Sequence, residues 1–428
     1  MHEMKRERQQ LSADGPIRAG RGGARDSFVV SCALPRYSLW ETMEERSALF
    51  SFVLEITARC NNNCRHCYIN LPEEDREAKE KEISLPEIRT IADEAVSLGA
   101  VWCVLTGGEP LLRRDFADIY MALKRKGLLV SVSTNATLVN ADHIRLFKKY
   151  PPRDVEVSVY GVTAETYERL TRRNGSFDAF MTGVNRLLRN GVKVRLKTMA
   201  IRSNVHELPA IARFCRERTK DYFRYDPGLH LRYDGNPVRN AEIRGERLTP
   251  SEIASLESQD PERSAFMAAV CREIRQEGTS RQPYSKLLDC GAGRGMFSVS
   301  YDGIYRLCST LCHPDCVYDL KEGSVRDAWL NFVPRIRQMN STRPAFVERC
   351  RSCEFVQLCT WCPAYAYLET GALDRPVDYF CAVSRARERA MLQRLEEMVE
   401  NAPAAKQGGR ETLRDRETVV DRKRTTGI

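Results

Sequence analysis

The sequence predicts an α/β fold built on a parallel sheet, followed by a cysteine-rich C-terminal part. Short apolar runs alternate with amphipathic stretches, and nine of the sixteen cysteines fall between residues 284 and 382. Strand–helix units repeated in succession are typical of a parallel sheet with helices outside it. At 428 residues, with 42% apolar and 8% aromatic side chains, the chain has the material for one large and one smaller core.

The apolar runs predict six strands, and the amphipathic stretches predict the helices between them. The predicted strands cover residues 52–56, 101–105, 128–132, 155–159 and 192–199, with a sixth at 222–225 or 230–233. The predicted helices cover residues 86–98, 116–126, 141–150, 177–189 and 205–217. Thr249 is a predicted helix N-cap, and further helices are predicted at 262–276 and 383–399.

Changes in composition along the chain predict its domain organisation. The Gly- and charge-rich ends, 1–28 and 401–428, are predicted to be disordered tails, the second of them basic. Between them we expect a core domain at 48–235, a helical linker at 236–284 and a cysteine-bearing domain with a terminal helix at 285–400.

Charge and hydropathy exclude several classes of protein. Of the net charge of +9, +5 falls in the two tails, so the body gives little reason to expect a nucleic-acid partner. The chain contains no long uncharged apolar run and its polar N-terminus does not resemble a signal peptide, so we expect no membrane association and a cytoplasmic location. In a reducing compartment, sixteen cysteines favour metal ligation over disulfides.

Three cysteines, Cys60, Cys64 and Cys67, form a compact triplet with no fourth cysteine until Cys103. A closed iron–sulfur cluster or a tetrahedral zinc site takes four protein ligands. The triplet therefore predicts a cluster with one iron left open for another molecule. A zinc site that borrows a remote ligand such as His66 is the alternative.

The triplet resembles the Cys-x3-Cys-x2-Cys pattern of the radical S-adenosylmethionine (radical SAM) family, in which the open iron chelates the methionine end of the cofactor. The resemblance implies a partial (β/α)6 TIM-like barrel in which Cys60, Cys64 and Cys67 are catalytic cluster ligands. It also implies cofactor contacts from segments that follow the predicted strands, and these are Gly107, Gly108, Glu109 and Pro110 after strand two, Ser133, Thr134 and Asn135 after strand three, Ser158 at the end of strand four, and His66 near the adenine.

The C-terminal cysteines resemble the SPASM extension of radical SAM enzymes, which carries one or two auxiliary iron–sulfur clusters. Carried over in order, the pattern assigns Cys290, Cys308 and Cys362 to one cluster and Cys350, Cys353, Cys359 and Cys381 to another. The chain has two residues between Cys359 and Cys362 where the family usually has three. Cys312 or Cys316 is available as a fourth ligand of the first cluster, whose iron is otherwise open. A pair of zinc knuckles is the alternative.

These resemblances imply an enzyme that cleaves S-adenosylmethionine reductively to a 5′-deoxyadenosyl radical at a [4Fe–4S] cluster. The favoured substrate is a peptide or protein side chain that is modified oxidatively. The alternative is a tetrapyrrole side chain in the haem pathway, and a remoter one is a non-catalytic iron–sulfur or zinc protein. The implied partners are a peptide or small-molecule substrate and an electron donor such as flavodoxin or ferredoxin.

Overall fold

The computed structural model describes residues 48–219, 223–277 and 285–400. The predicted disordered tails, 1–28 and 401–428, lie outside the described residues. The main sheet has nine strands, which are β1 (Ser51–Glu55), β2 (Trp102–Thr106), β3 (Leu129–Thr134), β4 (Asp154–Ser158), β5 (Val194–Met199), β6 (Arg224–Asp226), β7 (Met296–Val299), β8 (Ile304–Arg306) and β9 (Val317–Asp319). Their spatial order is β9-β8-β7-β1-β2-β3-β4-β5-β6.

Strands β1 to β6 are parallel and lie side by side in chain order. In β1, β2 and β5 buried side chains alternate with half-buried ones, so one face of the sheet is more deeply buried than the other. A parallel α/β sheet followed by a cysteine-rich C-terminal region is the fold class that the sequence predicts, and it is confirmed.

The helices lie close to their predicted positions where periodicity was clear. They are α1 (Arg76–Lys81), α2 (Leu85–Ser97), α3 (Phe116–Arg125), α4 (Ala141–Lys149), α5 (Ala164–Thr171), α6 (Ser176–Arg189), α7 (Leu208–Arg218), α8 (Pro237–Glu246), α9 (Pro250–Ser258), α10 (Pro261–Glu277), α11 (Val325–Asp327), α12 (Val333–Arg337), α13 (Pro363–Thr370) and α14 (Asp378–Glu400). Thr249 caps α9 as predicted, and Glu252 completes a capping box with it. None of the described helices is both long and apolar enough to cross a bilayer.

The far edge of the sheet comes from the C-terminal part of the chain, which the sequence analysis did not predict. Strand β7 pairs in parallel with β1, and the antiparallel strands β8 and β9 extend the edge. Phe297 of β7 stacks on Phe52 of β1, with ring centroids 5.4 Å apart. The sheet thus runs across the boundary predicted at residue 285, and the domain limits stay a prediction.

The sixth strand corresponds to the first of the two predicted alternatives. Residues 224–226 pair with β5, whereas 230–233 form a loop, so the second alternative is wrong. The loop is used elsewhere, because Arg232 within it donates from Nη1 to the carbonyl oxygen of Cys67 at 3.3 Å. This contact draws the loop over the cysteine triplet.

The terminal helix α14 packs on the linker helices. Arg387 donates from Nε and Nη2 to the Glu257 carboxylate at 2.6 and 2.8 Å, and both side chains are buried. A buried, bidentate pair of this kind fixes orientation as well as proximity. It ties α14 to α9.

Candidate functional site

A cavity of about 340 Å³ lies at the carboxyl ends of the parallel strands, where ligands of such sheets bind. Most residues singled out from the sequence line it, namely Cys60, Cys64, Cys67, His66, Gly107, Gly108, Ser133, Thr134, Asn135 and Ser158. The structure therefore brings together segments that lie up to a hundred residues apart. Glu109 and Pro110 are not among the lining residues and are buried behind the cavity wall.

Three arginines donate to backbone carbonyls of the cysteine loop, residues 60–67, and Arg173 does so at Asn61, 2.6 Å away. Buried Arg232 contacts the Cys67 carbonyl, and Arg239 donates from Nη2 to the Cys64 carbonyl at 2.8 Å. Burial raises the pKa of the Cys60 and Cys64 thiols, so these cysteines need a metal to be held as thiolates. The Arg239 charge lowers the pKa of Cys64, against the effect of burial. Arg232 and Arg239 are also paired with the carboxylates of Asp234 and Glu242.

The Gly107-Gly108 turn approaches the backbone that precedes the cysteine loop too closely for any side chain. Gly108 N donates to the Thr57 carbonyl at 2.7 Å, and Glu109 N donates to the Arg59 carbonyl at 2.9 Å. Gly107 has φ +138°, and a Cβ there would lie 2.1 Å from the Thr57 oxygen. A Cβ on Gly108 would lie 2.3 Å from the Arg59 oxygen. The two glycines are required by this close approach.

The Glu109 carboxylate ties the β2 loop to the β3 loop. It accepts hydrogen bonds from Thr134 Oγ1 and Asn135 N, both at 2.7 Å, and from Leu111 N at 3.0 Å. Burial raises the pKa of Glu109 to about 7, against the effect of these donors. Its direct contact with a cofactor stays a prediction, while its contact with the Asn135 loop is evident.

Asn135 links the β3 loop to the cysteine loop. Its amide Nδ2 donates to Asn61 Oδ1 at 2.8 Å and lies 3.8 Å from Cys60 Sγ. The backbone N–H of Asn62 also donates to Cys60 Sγ, at 3.4 Å. Hydrogen bonds to cluster sulfurs are one means by which a protein tunes a cluster. The positions of Asn61 and Asn62 inside the triplet were the sequence signal for this role.

Buried polar atoms without partners point into the cavity region from the cysteine loop. Within the described residues, both side-chain polar atoms of Asn62 and Nδ1 of His66 have no hydrogen-bond partner. Burial lowers the pKa of His66 to about 4, so its ring is neutral at pH 7. Buried polar atoms are nearly always paired, so these fit a polar ligand in the cavity. The residues present therefore suit S-adenosylmethionine bound beside a cluster.

The other half of the cavity is lined by residues that the sequence analysis did not single out. These are Lys197, Met199, Asp226, Gly228, Leu229, His230, Thr310 and Tyr365, with Tyr68 and Tyr160 between the two halves. They come from the ends of β5 and β6 and from the C-terminal part of the chain. Positions at the carboxyl ends of predicted strands were the only available signal, and it applies to Lys197 and Met199.

Glu55, the last residue of β1, is a buried carboxyl group next to Tyr68. Its Oε1 accepts from the Tyr68 hydroxyl at 3.4 Å. Burial raises the pKa of Glu55 to about 7, although the Arg306 charge opposes the shift. The folded protein therefore holds this proton more tightly than the unfolded chain does. The resulting stabilisation is complete below pH 4.5 and is lost as the pH rises through 7.

The substitution Glu55→Gln should make stability less dependent on pH. We expect the free energy of unfolding of the wild type to fall by about 1 kcal/mol more between pH 6 and pH 8 than that of the variant. Urea unfolding at the two pH values measures this difference. Glu165→Gln, on the exposed side of α5, should follow the wild type. Identical pH dependence in wild type and Glu55→Gln would contradict the burial argument.

The C-terminal cysteines form two groups. The thiols of Cys381, Cys359 and Cys353 lie close enough to Cys350 that their charges add to the effect of burial, which raises the Cys350 pKa to about 11. Burial raises the pKa of Cys362 to about 12, and here the contributing charges are those of Cys308 and Cys290. This grouping is compatible with the two ligand sets that the resemblance implies, and the assignment of each cysteine to a cluster stays a prediction.

Cys312 and Cys316 both lie near the second of these groups. The charge of Cys308 contributes to the raised pKa of each, after burial and the nearer charged side chains. Cys316 is buried, and its Sγ lies 3.9 Å from Met339 Sδ. Both therefore remain candidates for the fourth ligand.

Paired substitutions should reveal two separate C-terminal clusters. Cys353→Ala and Cys308→Ala are each expected to remove about four irons per chain after anaerobic reconstitution, and the double variant about eight. Iron and sulfide analysis measures the loss. A double variant that loses no more iron than either single variant would show one shared site instead.

Comparison with known proteins agrees with this geometry. The model of the Radical SAM superfamily matches residues 54–215. The AdoMet-dependent heme synthase of Nitratidesulfovibrio vulgaris is 24% identical over 353 residues, 77% of this chain and 92% of that protein. The Fe-coproporphyrin III synthase of Methanosarcina barkeri is 31% identical over 159 residues, 37% of this chain and 39% of that protein.

Among solved structures, Streptococcus suis SuiB bound to S-adenosylmethionine superposes with a TM-score of 0.57 at 14% identity, covering 89% of this chain and 86% of that one. At this identity the similarity concerns the fold, and it extends over the cysteine-rich C-terminal region. Together with the family match across the cysteine loop and strands β2 to β5, these findings show that the chain is a radical SAM enzyme, a member of the superfamily that uses S-adenosylmethionine with a [4Fe–4S] cluster.

Proposed function

We propose that this enzyme oxidatively modifies a side chain of a tetrapyrrole, with an iron coproporphyrin as the substrate class. The supporting observation is the length of the match to the heme synthase. At 353 residues, the match is much longer than the core domain expected at 48–235. The sequence resemblance by itself favours a peptide substrate. The similarity to SuiB concerns the fold alone and does not support a peptide over a tetrapyrrole.

The chemistry of the cavity agrees with a flat, aromatic, carboxylate-bearing substrate. Its second half presents the rings of Tyr68, His230 and Tyr365 together with the Lys197 ammonium group. Aromatic faces pack against a macrocycle, and an ammonium group binds a propionate. Lys197 Nζ donates to Glu156 Oε2 at 2.5 Å, which holds the cation at the cavity wall.

In this proposal Cys60, Cys64 and Cys67 hold the cluster, and the backbone of Gly107 and Gly108 forms the closest wall of the cofactor site. When bound, the cluster and S-adenosylmethionine supply a carbon radical that removes a hydrogen atom from the substrate. The protein's part is to fix the substrate carbon in line and to exclude water and other hydrogen donors. The buried Glu109 contacts hold the β3 loop for that purpose.

The two C-terminal cysteine groups would carry auxiliary iron–sulfur clusters. Cys350, Cys353, Cys359 and Cys381 would hold one, and Cys290, Cys308 and Cys362 the other. Removal of a hydrogen atom leaves a substrate radical, which must lose one more electron to complete the oxidation. An auxiliary cluster is a suitable acceptor for that electron. A flavodoxin or ferredoxin would supply the electron that starts each turnover.

The test is turnover by the anaerobically reconstituted full chain with S-adenosylmethionine and a reductant. Fe-coproporphyrin III is offered in one reaction and a short cysteine-containing peptide in another, with mass spectrometry of both. We expect 5′-deoxyadenosine together with a porphyrin whose mass shows an altered side chain, and an unchanged peptide. A modified peptide beside an unchanged porphyrin would reject the tetrapyrrole and restore the peptide interpretation.

A further inference from the structure

In the second half of the cavity, a hydrogen bond fixes which ring nitrogen of His230 carries the proton. Its Nδ1 lies 3.1 Å from the carbonyl oxygen of Leu231. A carbonyl oxygen only accepts, so Nδ1 must carry the proton in the neutral ring. The lone pair is then on Nε2, the arrangement found in metal-ligating histidines.

The ring of His230 is held in place by three tyrosines. It stacks on Tyr233 with 5.8 Å between centroids and an angle of 5°, and on Tyr365 with 5.7 Å and 22°. Tyr68 packs against it at 4.7 Å with a tilt of 47°. A side chain fixed in this way loses little conformational entropy when it binds a ligand.

Nε2 of His230 is available to a ligand. In the part of the chain that the structure describes, no hydrogen bond reaches this atom, and the residue lines the cavity. Burial lowers the pKa of His230, because the charged imidazolium is poorly solvated there. The imidazole is therefore neutral at pH 7 and able to donate its lone pair to a metal.

The position of His230 joins the two halves of the site. Its neighbour Tyr68 follows the cluster ligand Cys67 directly in the chain. Its other neighbour Tyr365 donates from its backbone N to Cys362 Sγ at 3.4 Å. A substrate bound at His230 would lie between the cysteine loop and a C-terminal cysteine group, near both the source of the radical and the electron acceptor.

We propose that His230 Nε2 is an axial ligand of the iron in an iron–porphyrin substrate. This inference rests on the proposed function and adds to it, because it assigns the iron itself, and not only the side chains, a part in recognition. The ligand bond would set the distance of the macrocycle from the radical source. It also predicts that the enzyme distinguishes iron porphyrins from metal-free ones.

The experiment measures binding of Fe-coproporphyrin III and of metal-free coproporphyrin III to the reconstituted full chain, without a reductant. Two variants are compared with the wild type. His230→Phe keeps an aromatic ring in the stack and removes the nitrogen, whereas His230→Ala leaves space for added imidazole. Absorption spectra and electron paramagnetic resonance of the ferric porphyrin report its axial ligand.

In both variants we expect affinity for the iron porphyrin to fall by about tenfold or more, the scale on which metal affinity responds to disturbed ligation. The Soret band should shift, and imidazole should restore the wild-type spectrum in His230→Ala. Affinity for metal-free coproporphyrin should change by less than about twofold in His230→Phe.

Two results would overturn the inference while leaving the proposed function intact. One is an unchanged iron-porphyrin spectrum and affinity in both variants. The other is an equal loss of affinity for the iron porphyrin and the metal-free porphyrin in His230→Phe, which would assign His230 a packing role. A wild-type protein that binds neither porphyrin would instead overturn the proposed function and the ligand assignment together.

Discussion

Replacement of Cys64 by alanine is expected to remove the N-terminal cluster and with it all cleavage of S-adenosylmethionine. Cys64 is buried in the cysteine loop, where no other cysteine is available to replace it as a third ligand. About four irons per chain should be lost, and the two C-terminal groups should retain theirs. Because enzymes typically accelerate reactions by at least about 10⁶-fold, loss of the cofactor site should leave no measurable 5′-deoxyadenosine.

Cys103→Ala is the matched control for this substitution. Cys103 is a buried cysteine of β2 that does not line the cavity, so its removal creates only a small void. We expect it to cost about 1 kcal/mol of stability and to leave iron content and cofactor cleavage unchanged. A Cys64→Ala protein with full iron content and normal cleavage would show that the loop is not the cluster site.

Replacement of Gly107 by alanine is expected to cause a large loss of stability and to disrupt the cofactor site. The new Cβ would lie 2.1 Å from the Thr57 carbonyl oxygen, at a φ of +138° that side chains rarely adopt. The turn or the backbone before the cysteine loop must then move. We expect a loss of about 4 kcal/mol or more in the free energy of unfolding. Binding of S-adenosylmethionine to the reconstituted protein should be lost as well.

Gly127→Ala separates the clash from the backbone conformation. Gly127 has φ +80°, but nothing lies within 4 Å of a Cβ there. We expect a cost of about 1–2 kcal/mol, which is that of the left-handed conformation alone, and unchanged cofactor binding. Urea unfolding and equilibrium binding measure both variants. Equal losses in the two would contradict the close-approach argument.

The parallel sheet and the first half of the cavity could be predicted from the sequence. Their signals are local in the chain, since each strand is a short apolar run and each site segment follows one directly. Parallel strands bring their carboxyl ends to one edge, so the order of motifs along the chain already implied their proximity. The spacing of Cys60, Cys64 and Cys67 predicted the kind of site, a cluster with one open iron.

The remainder depends on contacts between distant segments. Strands β7 to β9 have only three or four residues each, so the spacing of apolar residues could not reveal them. His230 was placed in a possible strand, and only the loop that crosses the cysteine triplet shows where its ring lies. The carboxylate of Glu109 was expected at the cofactor, yet it is occupied by hydrogen bonds to the neighbouring loop. The positions of these two side chains depend on tertiary packing.

The most direct test of the central claim is the formation of 5′-deoxyadenosine by the full chain, reconstituted and kept free of oxygen. The protein is mixed with S-adenosylmethionine, and a reductant is then added. The open cluster at the cysteine loop predicts 5′-deoxyadenosine and methionine in equal amounts, with none formed in the absence of reductant. A protein that carries its full content of iron and sulfide and still leaves S-adenosylmethionine intact would contradict the account.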